Sequence, residues 1–245
     1  FHPAVFSSDR DHGIADLDAL VAALVTSTSR QLLDDTVDAM LNNETYFYRE
    51  HSVFDDIAKT ALEHIRETNA AKRRVTIWHC GVSTGQEAYS MAMLLAEQGE
   101  QWAGWQVDVV GTDVSYHAIS RARVGLYSQF EIQRGLPVQR MVRWFDQTEG
   151  GWLAKADLRR RIDFSVQNML VDRPPLASPA DLIFCRNLLL YFSLPMRQKA
   201  FARLRSVAAP QSFLVLGAGE TVLGQTDQFV ASRRLRGLYE PADQQ

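Results

Sequence analysis

The sequence predicts a doubly wound α/β fold preceded by a small helical domain. Apolar, strand-like runs alternate with amphipathic helical patterns from residue 72 onward, whereas only helical periods occur before that point. The strand-like runs are apolar at nearly every position, as in strands buried on both faces of a parallel sheet. We therefore expect an N-terminal helical domain over residues 1–70 and an α/β domain over residues 71–245.

Three helices are predicted in the N-terminal domain, because apolar residues recur there at the spacing of a helix face. Residues 1–13 are polar and show no such period. The predicted faces are, in chain order, Leu17, Leu20, Val21 and Leu24; then Leu33, Val37, Met40 and Leu41; then Val53, Phe54, Ile57, Ala61 and Ile65.

Five strands and three helices are predicted in the α/β domain. Their alternation favours a parallel sheet with helices on both faces. The predicted strands are residues 74–80, 105–113, 162–168, 181–187 and 212–219, and the helices are residues 86–98, 115–124 and 195–208.

One segment, residues 126–161, interrupts this alternation. It contains a short helical pattern and then the pair Gly150-Gly151, which is typical of a hairpin turn. We expect a small antiparallel β-subdomain inserted between two strands of the main sheet.

The composition limits the class of protein. A net charge of -3 argues against a nucleic-acid-binding protein, which usually has a basic excess. The two cysteines, Cys80 and Cys185, are too few for a disulfide framework and read as small buried residues. No apolar run approaches the ~20 residues of a membrane helix, so membrane insertion is not expected. We expect a cytoplasmic protein.

Polar and glycine residues follow the predicted strands, where an open α/β sheet binds its ligands. Gly81 and Gly85 follow the first strand and Asp113 ends the second. Asn168 follows the third strand, and Arg186-Asn187 follows the fourth. A glycine loop with an acid at the end of the next strand suits an adenosine, because the acid can accept hydrogen bonds from the ribose hydroxyls.

The glycine loop does not suit phosphates. It lacks the Lys-Ser/Thr of a P-loop and the three-glycine spacing of a dinucleotide site. Glu87, in the first turn of the following helix, would repel a pyrophosphate but attract a cation. An adenosine that carries a cation is S-adenosylmethionine. A simple interaction of Glu87 with the helix dipole is equally compatible with the sequence.

Several stretches together resemble the CheR family of chemotaxis-receptor methyltransferases, over about residues 36 to 240. That family uses S-adenosylmethionine to methylate glutamate side chains on the cytoplasmic helices of chemoreceptors. The resemblance therefore implies a Rossmann-like methyltransferase domain, S-adenosylhomocysteine as product, and a chemoreceptor as partner. The matching stretches are NETYFYRE (43–50), STGQEAYSMAMLL (83–95), GTDVSYHAISRARVGLY (111–127), RGLP (134–137), DLIFCRNLLLYF (181–192) and LGAGETVLG (216–224).

The resemblance also implies site residues. It places Arg49 at the methionine end of the cofactor and in the active site, and Tyr191 facing the transferred methyl group. Glu87 would lie near the cofactor's amino group, Asp113 would bind the ribose, and Asn168-Met169 would flank the adenine. The implied cofactor-binding residues are Asn43, Thr45, Arg49, Glu87, Asp113, Asn168, Met169, Arg186 and Asn187.

The implied chemistry requires neither a general base nor a metal. A glutamate acceptor, with a reference pKa of about 4.3, is already ionised at neutral pH. The six histidines show no catalytic spacing, and His79 is expected in a loop or in the core. The protein's task would be alignment and desolvation, in which the Tyr191 hydroxyl could orient the attacking oxygen.

The sequence also departs from the family pattern. Val82 stands where the family usually has Cys, and Ala88 where it often has Pro; both are packing positions. Family members usually carry a basic helix that grips the acidic receptor, yet Arg30 is the only positive charge between residues 14 and 48. Either that helix lies upstream of Phe1 or the acceptor is gripped differently.

Two other functions therefore stay open. One keeps the fold and the cofactor but methylates a different signalling protein or a small molecule. The other is a scaffold that binds the cofactor without turnover.

Overall fold

The computed structural model describes residues 16–26, 29–235 and 237–242, except the side chain of Arg30. The predicted irregular segment 1–13 lies outside the described residues. Ten strands are present in the described part of the chain: β1 (Arg74–Cys80), β2 (Gln106–Asp113), β3 (Leu126–Tyr127), β4 (Phe145–Thr148), β5 (Gly151–Ala154), β6 (Ile162–Val166), β7 (Ala180–Cys185), β8 (Ala208–Leu216), β9 (Phe229–Ala231) and β10 (Leu238–Pro241).

The helices lie before and between these strands. Short 3₁₀ turns cover Gly99–Trp102 and Leu189–Tyr191, and a π-helical turn, Ile57–Ala61, joins the helices His51–Asp56 and Leu62–Thr68. The α-helices are α1 (Leu17–Thr26), α2 (Arg30–Met40), α3 (His51–Asp56), α4 (Leu62–Thr68), α5 (Gln86–Glu97), α6 (Tyr116–Val124), α7 (Gln129–Gln133), α8 (Val138–Trp144), α9 (Ala156–Arg159) and α10 (Leu194–Val207).

The main sheet has seven strands in the order β6-β2-β1-β7-β8-β10-β9. The first five are parallel, and β10 runs antiparallel to both of its neighbours. The chain leaves β1 toward β2 and β6 and then returns to place β7 on the other side of β1. This reversal beside β1 is the switch point at which open α/β sheets bind ligands.

The sheet buries both faces, as the continuous apolar runs predict. Successive residues of a strand alternate between two cores: Ile77 packs into the first and Trp78 into the second. Helices α3–α6 cover the first face, and α10 covers the second through Ala200 and Phe201.

The five predicted strands are confirmed as β1, β2, β6, β7 and β8, although β8 begins at Ala208 rather than at residue 212. The three predicted helices are confirmed as α5, α6 and α10. Strands β9 and β10 were not predicted, because they are short and β10 ends in a proline, which weakens any strand pattern.

The predicted β-subdomain is also confirmed. Strands β3, β5 and β4 form a separate antiparallel sheet, with Thr148 opposite Gly151 across the hairpin turn. A Cβ at Gly151 would lie 2.4 Å from the carbonyl oxygen of Tyr127, so only glycine fits there.

The prediction for the face of α2 is wrong. Leu33 is 53% exposed and Met40 67% exposed, whereas Leu32 is buried against Leu20 of α1. Helix α2 lies against α6, where the backbone N–H of His117 donates to Asp38 Oδ2 over 3.3 Å. This docking turns the end of α2 toward the main sheet's switch point rather than into a helical core.

The third predicted helix is confirmed as the continuous helical segment 51–68. Phe54, Ile57, Ala61 and Ile65 are fully buried, and they belong to the same core as the first face of the sheet. The division into domains at residue 70 stays a prediction. Within the described residues, no helix combines the length and apolarity needed to cross a membrane.

Candidate functional site

A cavity of about 330 Å³ opens at the carboxyl ends of β1, β2 and β7. This volume lies within the range of small-molecule sites. The structure brings all ten sequence-predicted site residues to its wall: Asn43, Thr45, Arg49, Glu87, Asp113, Asn168, Met169, Arg186, Asn187 and Tyr191.

The loop after β1 holds Asp113 at one side of the cavity. The backbone N–H groups of Ser83 and Ser115 donate to Oδ2 and Oδ1 of Asp113 over 2.7 and 3.0 Å. Burial raises the pKa of Asp113 above its ordinary value, and these two hydrogen bonds oppose the rise without cancelling it. Each carboxylate oxygen keeps one further lone pair for a ligand's hydroxyl group.

Glu87 lies in a buried charge cluster. Its Oε1 is 2.9 Å from Nδ1 of His79, and its Oε2 accepts from Nη1 of Arg186 over 2.9 Å. Burial raises the pKa of Glu87, but the hydrogen bond with His79 and the charge of Arg186 outweigh it, so the pKa is lowered. Of the two positions expected for His79, a loop or the core, the structure shows the core: its ring is fully buried and stacks on Phe184.

Arg186 joins this cluster to the loop before α3. Its guanidinium is almost fully buried and contacts Glu50 Oε1 at 3.1 Å as well as Glu87. It also donates to the carbonyl oxygen of Arg49 over 2.9 Å. Two carboxylates therefore share one guanidinium, so with a neutral His79 ring the cluster of Glu50, Glu87 and Arg186 carries one surplus negative charge.

The 42–49 loop forms another part of the cavity wall. The Ser83 hydroxyl donates to the carbonyl oxygen of Asn43 over 2.9 Å, which ties this loop to the glycine loop. Arg49 donates to the carbonyl oxygen of Glu44 over 3.1 Å, and Thr45 lines the cavity between them.

Asn168 and Met169 border the far end of the cavity. The Asn168 side chain accepts from the backbone N–H of Leu170 over 3.0 Å, which shapes the turn after β6. Met169 is buried, with its sulfur 3.6 Å from Sγ of Cys80 on the cavity floor.

Tyr191 stands at the mouth of the cavity. Its side chain is 58% exposed, and its hydroxyl accepts from Nδ2 of Asn42 over 3.1 Å. Tyr191 is therefore the predicted site residue best placed to meet a second, larger substrate. Asn187 lies on the same segment, which follows β7.

The sequence that forms this cavity matches a known protein family. The family model for "CheR methyltransferase, SAM binding domain" matches residues 43–236. The chain belongs to the CheR methyltransferase family. The matched range contains every residue that carries a predicted role, and it includes the β-subdomain.

Curated relatives match over most of the chain. Chemotaxis protein methyltransferase 1 of Vibrio cholerae is 36% identical over 92% of this chain and 82% of that protein. Chemotaxis protein methyltransferase 1 of Pseudomonas aeruginosa is 33% identical over 89% and 80%, respectively. The chemotaxis protein methyltransferase of Borreliella burgdorferi is 29% identical over 86% and 76%.

The residues of this CheR domain fit S-adenosylmethionine, the cofactor of the family. Asp113 offers a carboxylate with free lone pairs for ribose hydroxyls, and the Glu50–Glu87–Arg186 cluster offers a surplus negative charge for an amine. A Cβ at Gly81 would approach Leu188 to 3.0 Å, so a side chain there would crowd the cavity wall. Among the described residues, no group of three His, Cys, Asp or Glu side chains could hold a metal.

Backbone strain is concentrated at this site. Of the five non-glycine residues with positive φ in the described chain, Ser83 and Asn187 line the cavity, and Tyr48 and Glu50 flank Arg49. Such conformations cost of order 1–3 kcal/mol each and persist where the surroundings impose them. The CheR domain thus holds its site with strained loops on a rigid sheet.

Sequence reasoning missed Glu50 and Glu220 and gave His79 no part in the site. Glu50 lies inside the stretch NETYFYRE, so the motif could have flagged it, but nothing in the sequence indicates its pairing with Arg186. Glu220 accepts backbone hydrogen bonds from residues more than 30 positions away. No local pattern reports a contact of that kind.

Proposed function

We propose that this protein is an S-adenosylmethionine-dependent protein-glutamate O-methyltransferase that acts in the cytoplasm on the helical cytoplasmic domain of chemoreceptors. The names of the curated relatives support a role in chemotaxis. The observation that carries the proposal is one cavity that joins a buried carboxylate pocket to an exposed tyrosine at its mouth.

We assign the cofactor-holding roles from position in the cavity. Asp113 would accept hydrogen bonds from the ribose hydroxyls, and Asn168 and Met169 would flank the adenine. Arg49 would bind the carboxylate of the methionine portion through charge-assisted hydrogen bonds. The remaining wall is supplied by Asn43, Thr45, Arg186 and Asn187.

The role of Glu87 follows from the local charge balance. Arg186 can neutralise only one of the two carboxylates, Glu50 and Glu87, that contact it, and the His79 ring beside Glu87 adds no positive charge while it is neutral. An ammonium group at the cavity wall would compensate the other in an environment where charges interact strongly. Glu87 would therefore attract the amine of the methionine portion together with Glu50, rather than alone.

The chain's own part in methyl transfer is alignment. S-adenosylmethionine, when bound, supplies an electrophilic methyl group. A glutamate acceptor is ionised at neutral pH and needs no base. Tyr191, hydrogen-bonded to Asn42 at the mouth, would orient the attacking carboxylate oxygen. The exposed apolar side chains of Met40 and Leu41, which line the same cavity, would strip water from that oxygen.

The test is transfer of a labelled methyl group from S-adenosylmethionine to a chemoreceptor cytoplasmic fragment. Matched fragments would carry Glu or Gln at the acceptor positions. We expect label on the Glu fragment only, released by mild base as expected for a carboxyl ester, and none with the Asp113→Ala variant.

Other outcomes would identify the alternatives. Label that resists base, or that appears equally on the Gln fragment, would contradict glutamate as the acceptor. Transfer to another protein or a small molecule, with none to receptor fragments, would support a different methyltransferase. Cofactor binding without transfer to any acceptor would support a scaffold.

A further inference from the structure

The Glu220 carboxylate is the acceptor for four backbone N–H groups. Its Oε2 accepts from Asn187 over 2.7 Å and from Gly217 over 2.8 Å. Its Oε1 accepts from Leu188 over 2.9 Å and from Leu190 over 3.2 Å. Hydrogen bonds to an ionised carboxylate are stronger than those between neutral groups, so this is a firm anchor.

The four donors come from two segments that follow adjacent strands. Asn187, Leu188 and Leu190 follow β7, and Gly217 follows β8; the two strands are paired in parallel up to Cys185 opposite Leu216. Beyond that pair the ladder stops, so these amides have no partners from the sheet. The Glu220 carboxylate accepts the hydrogen bonds that a neighbouring strand would otherwise accept, and it thereby holds the two segments together.

The segment that Glu220 holds is strained and carries site residues. Asn187 has φ +56°, a conformation that non-glycine residues seldom adopt without constraint. Leu189–Tyr191 forms a 3₁₀ turn, which places Tyr191 at the cavity mouth. Glu220 itself lines a smaller neighbouring cavity of about 110 Å³ rather than the cavity that contains Asp113.

We propose that Glu220 is a positioning residue for methyl transfer: it sets the conformation of residues 187–191 and thereby aligns Tyr191 and Asn187 with the reacting groups. This inference rests on the proposed function for the role of Tyr191. It does not require any contact between Glu220 and cofactor or acceptor.

The test substitutes Glu220→Gln, which keeps the size of the side chain but leaves a single acceptor oxygen. One pair of amides then faces an NH₂ group, which cannot accept. The matched control is Asp227→Asn, which removes one exposed negative charge from the same region of the chain. Methyl-transfer kinetics and S-adenosylhomocysteine binding would be measured for both variants.

We expect kcat of Glu220→Gln to fall about 10- to 100-fold, as for a small misplacement of aligned groups. The Kd for S-adenosylhomocysteine should rise less than kcat falls, by about tenfold at most, because Asn187 shifts while Asp113 and Glu87 keep their partners. If activity and cofactor binding both fell only in proportion to the fraction of the variant that is folded, the role of Glu220 would be merely structural. That result would overturn the proposal. So would a kcat within about twofold of the control.

A measurement on the unsubstituted protein covers the case in which Glu220→Gln does not fold. Hydrogen exchange should show the amides of Asn187, Leu188, Leu190 and Gly217 protected like strand amides. Exchange at the rate of open loops would overturn the proposal. Neither this measurement nor product binding depends on the identity of the acceptor, so failure of the proposed function would be seen separately.

Discussion

Two buried carboxylates in the same cavity respond to burial in opposite ways. Asp113 has only backbone N–H partners, so burial prevails and its pKa is raised above 3.8. Glu87 has His79 and the Arg186 guanidinium beside it, so its pKa is lowered below 4.5. At neutral pH ionised Asp113 costs folding stability, and that cost is relieved as pH falls through its raised pKa. A destabilised buried charge of this kind is typical of a functional site.

These shifts predict the pH dependence of cofactor binding. As pH falls through the raised pKa of Asp113, its carboxylate should protonate and lose its capacity to accept hydrogen bonds from both ribose hydroxyls. The affinity for S-adenosylhomocysteine, measured by calorimetry from about pH 7 downward, should therefore decline with a midpoint above 3.8. Circular dichroism at each pH would confirm that the protein stays folded. If the affinity declined only with a midpoint at or below pH 3.8, this role for Asp113 would be contradicted.

At the scale of elements, the segments after β7 and β8 pack so closely that one position must be glycine. A Cβ at Gly217 would lie 2.7 Å from Nδ2 and 3.0 Å from the backbone nitrogen of Asn187. Gly217→Ala should displace Asn187 and lower methyl-transfer activity at least about tenfold. Gly219→Ala is the matched control, since no atom lies within 4 Å of its Cβ position. Equal activity of the two variants in the methylation assay would contradict this packing.

Most helices and strands could be predicted from the sequence, because their pattern of buried residues is regular. Strands such as β1 and β7 are covered on both faces, and a continuous apolar run reports this directly. The face of α2 could not be predicted, because its docking partner is α6 and its last residues line a cavity. Apolar residues at the end of α2 line the mouth of the site rather than a core. The helical spacing of apolar residues therefore predicts the wrong buried face for this helix.

At the scale of the whole molecule, the helical segment 51–68 and the main sheet share one core. Phe54 is 1% exposed and stacks with Phe184 of β7 at 6.0 Å between ring centroids. Phe54→Ala should reduce the free energy of unfolding by about 3–5 kcal/mol. The control Leu33→Ala, at an exposed position of α2, should change it by less than about 0.5 kcal/mol. Denaturant unfolding followed by tryptophan fluorescence would measure both, and similar values would contradict a shared core.

The site could be predicted only where a motif and a strand end coincide. Asp113 ends β2, Asn187 follows β7, and Glu87 lies in the first turn of the helix after β1; the fold brings such positions to one edge of the sheet. Glu220 and His79 could not be assigned, because their roles depend on partners brought close by the tertiary fold. The sequence therefore predicted where the cavity lies. Only the structure shows the charge cluster around Arg186 and the hydrogen bonds of Glu220 that hold its walls.

The measurement that tests the central claim most directly is calorimetric titration of the purified protein with S-adenosylhomocysteine, beside Asp113→Ala. Asp163→Ala, an exposed aspartate on the neighbouring strand β6, is the matched control. We predict saturable binding at one site, retained in Asp163→Ala and weakened at least about 100-fold in Asp113→Ala, the loss expected when a buried pair of hydrogen bonds is removed. Binding that is equal in the two variants, or absent from the folded unsubstituted protein, would contradict the assignment of this cavity.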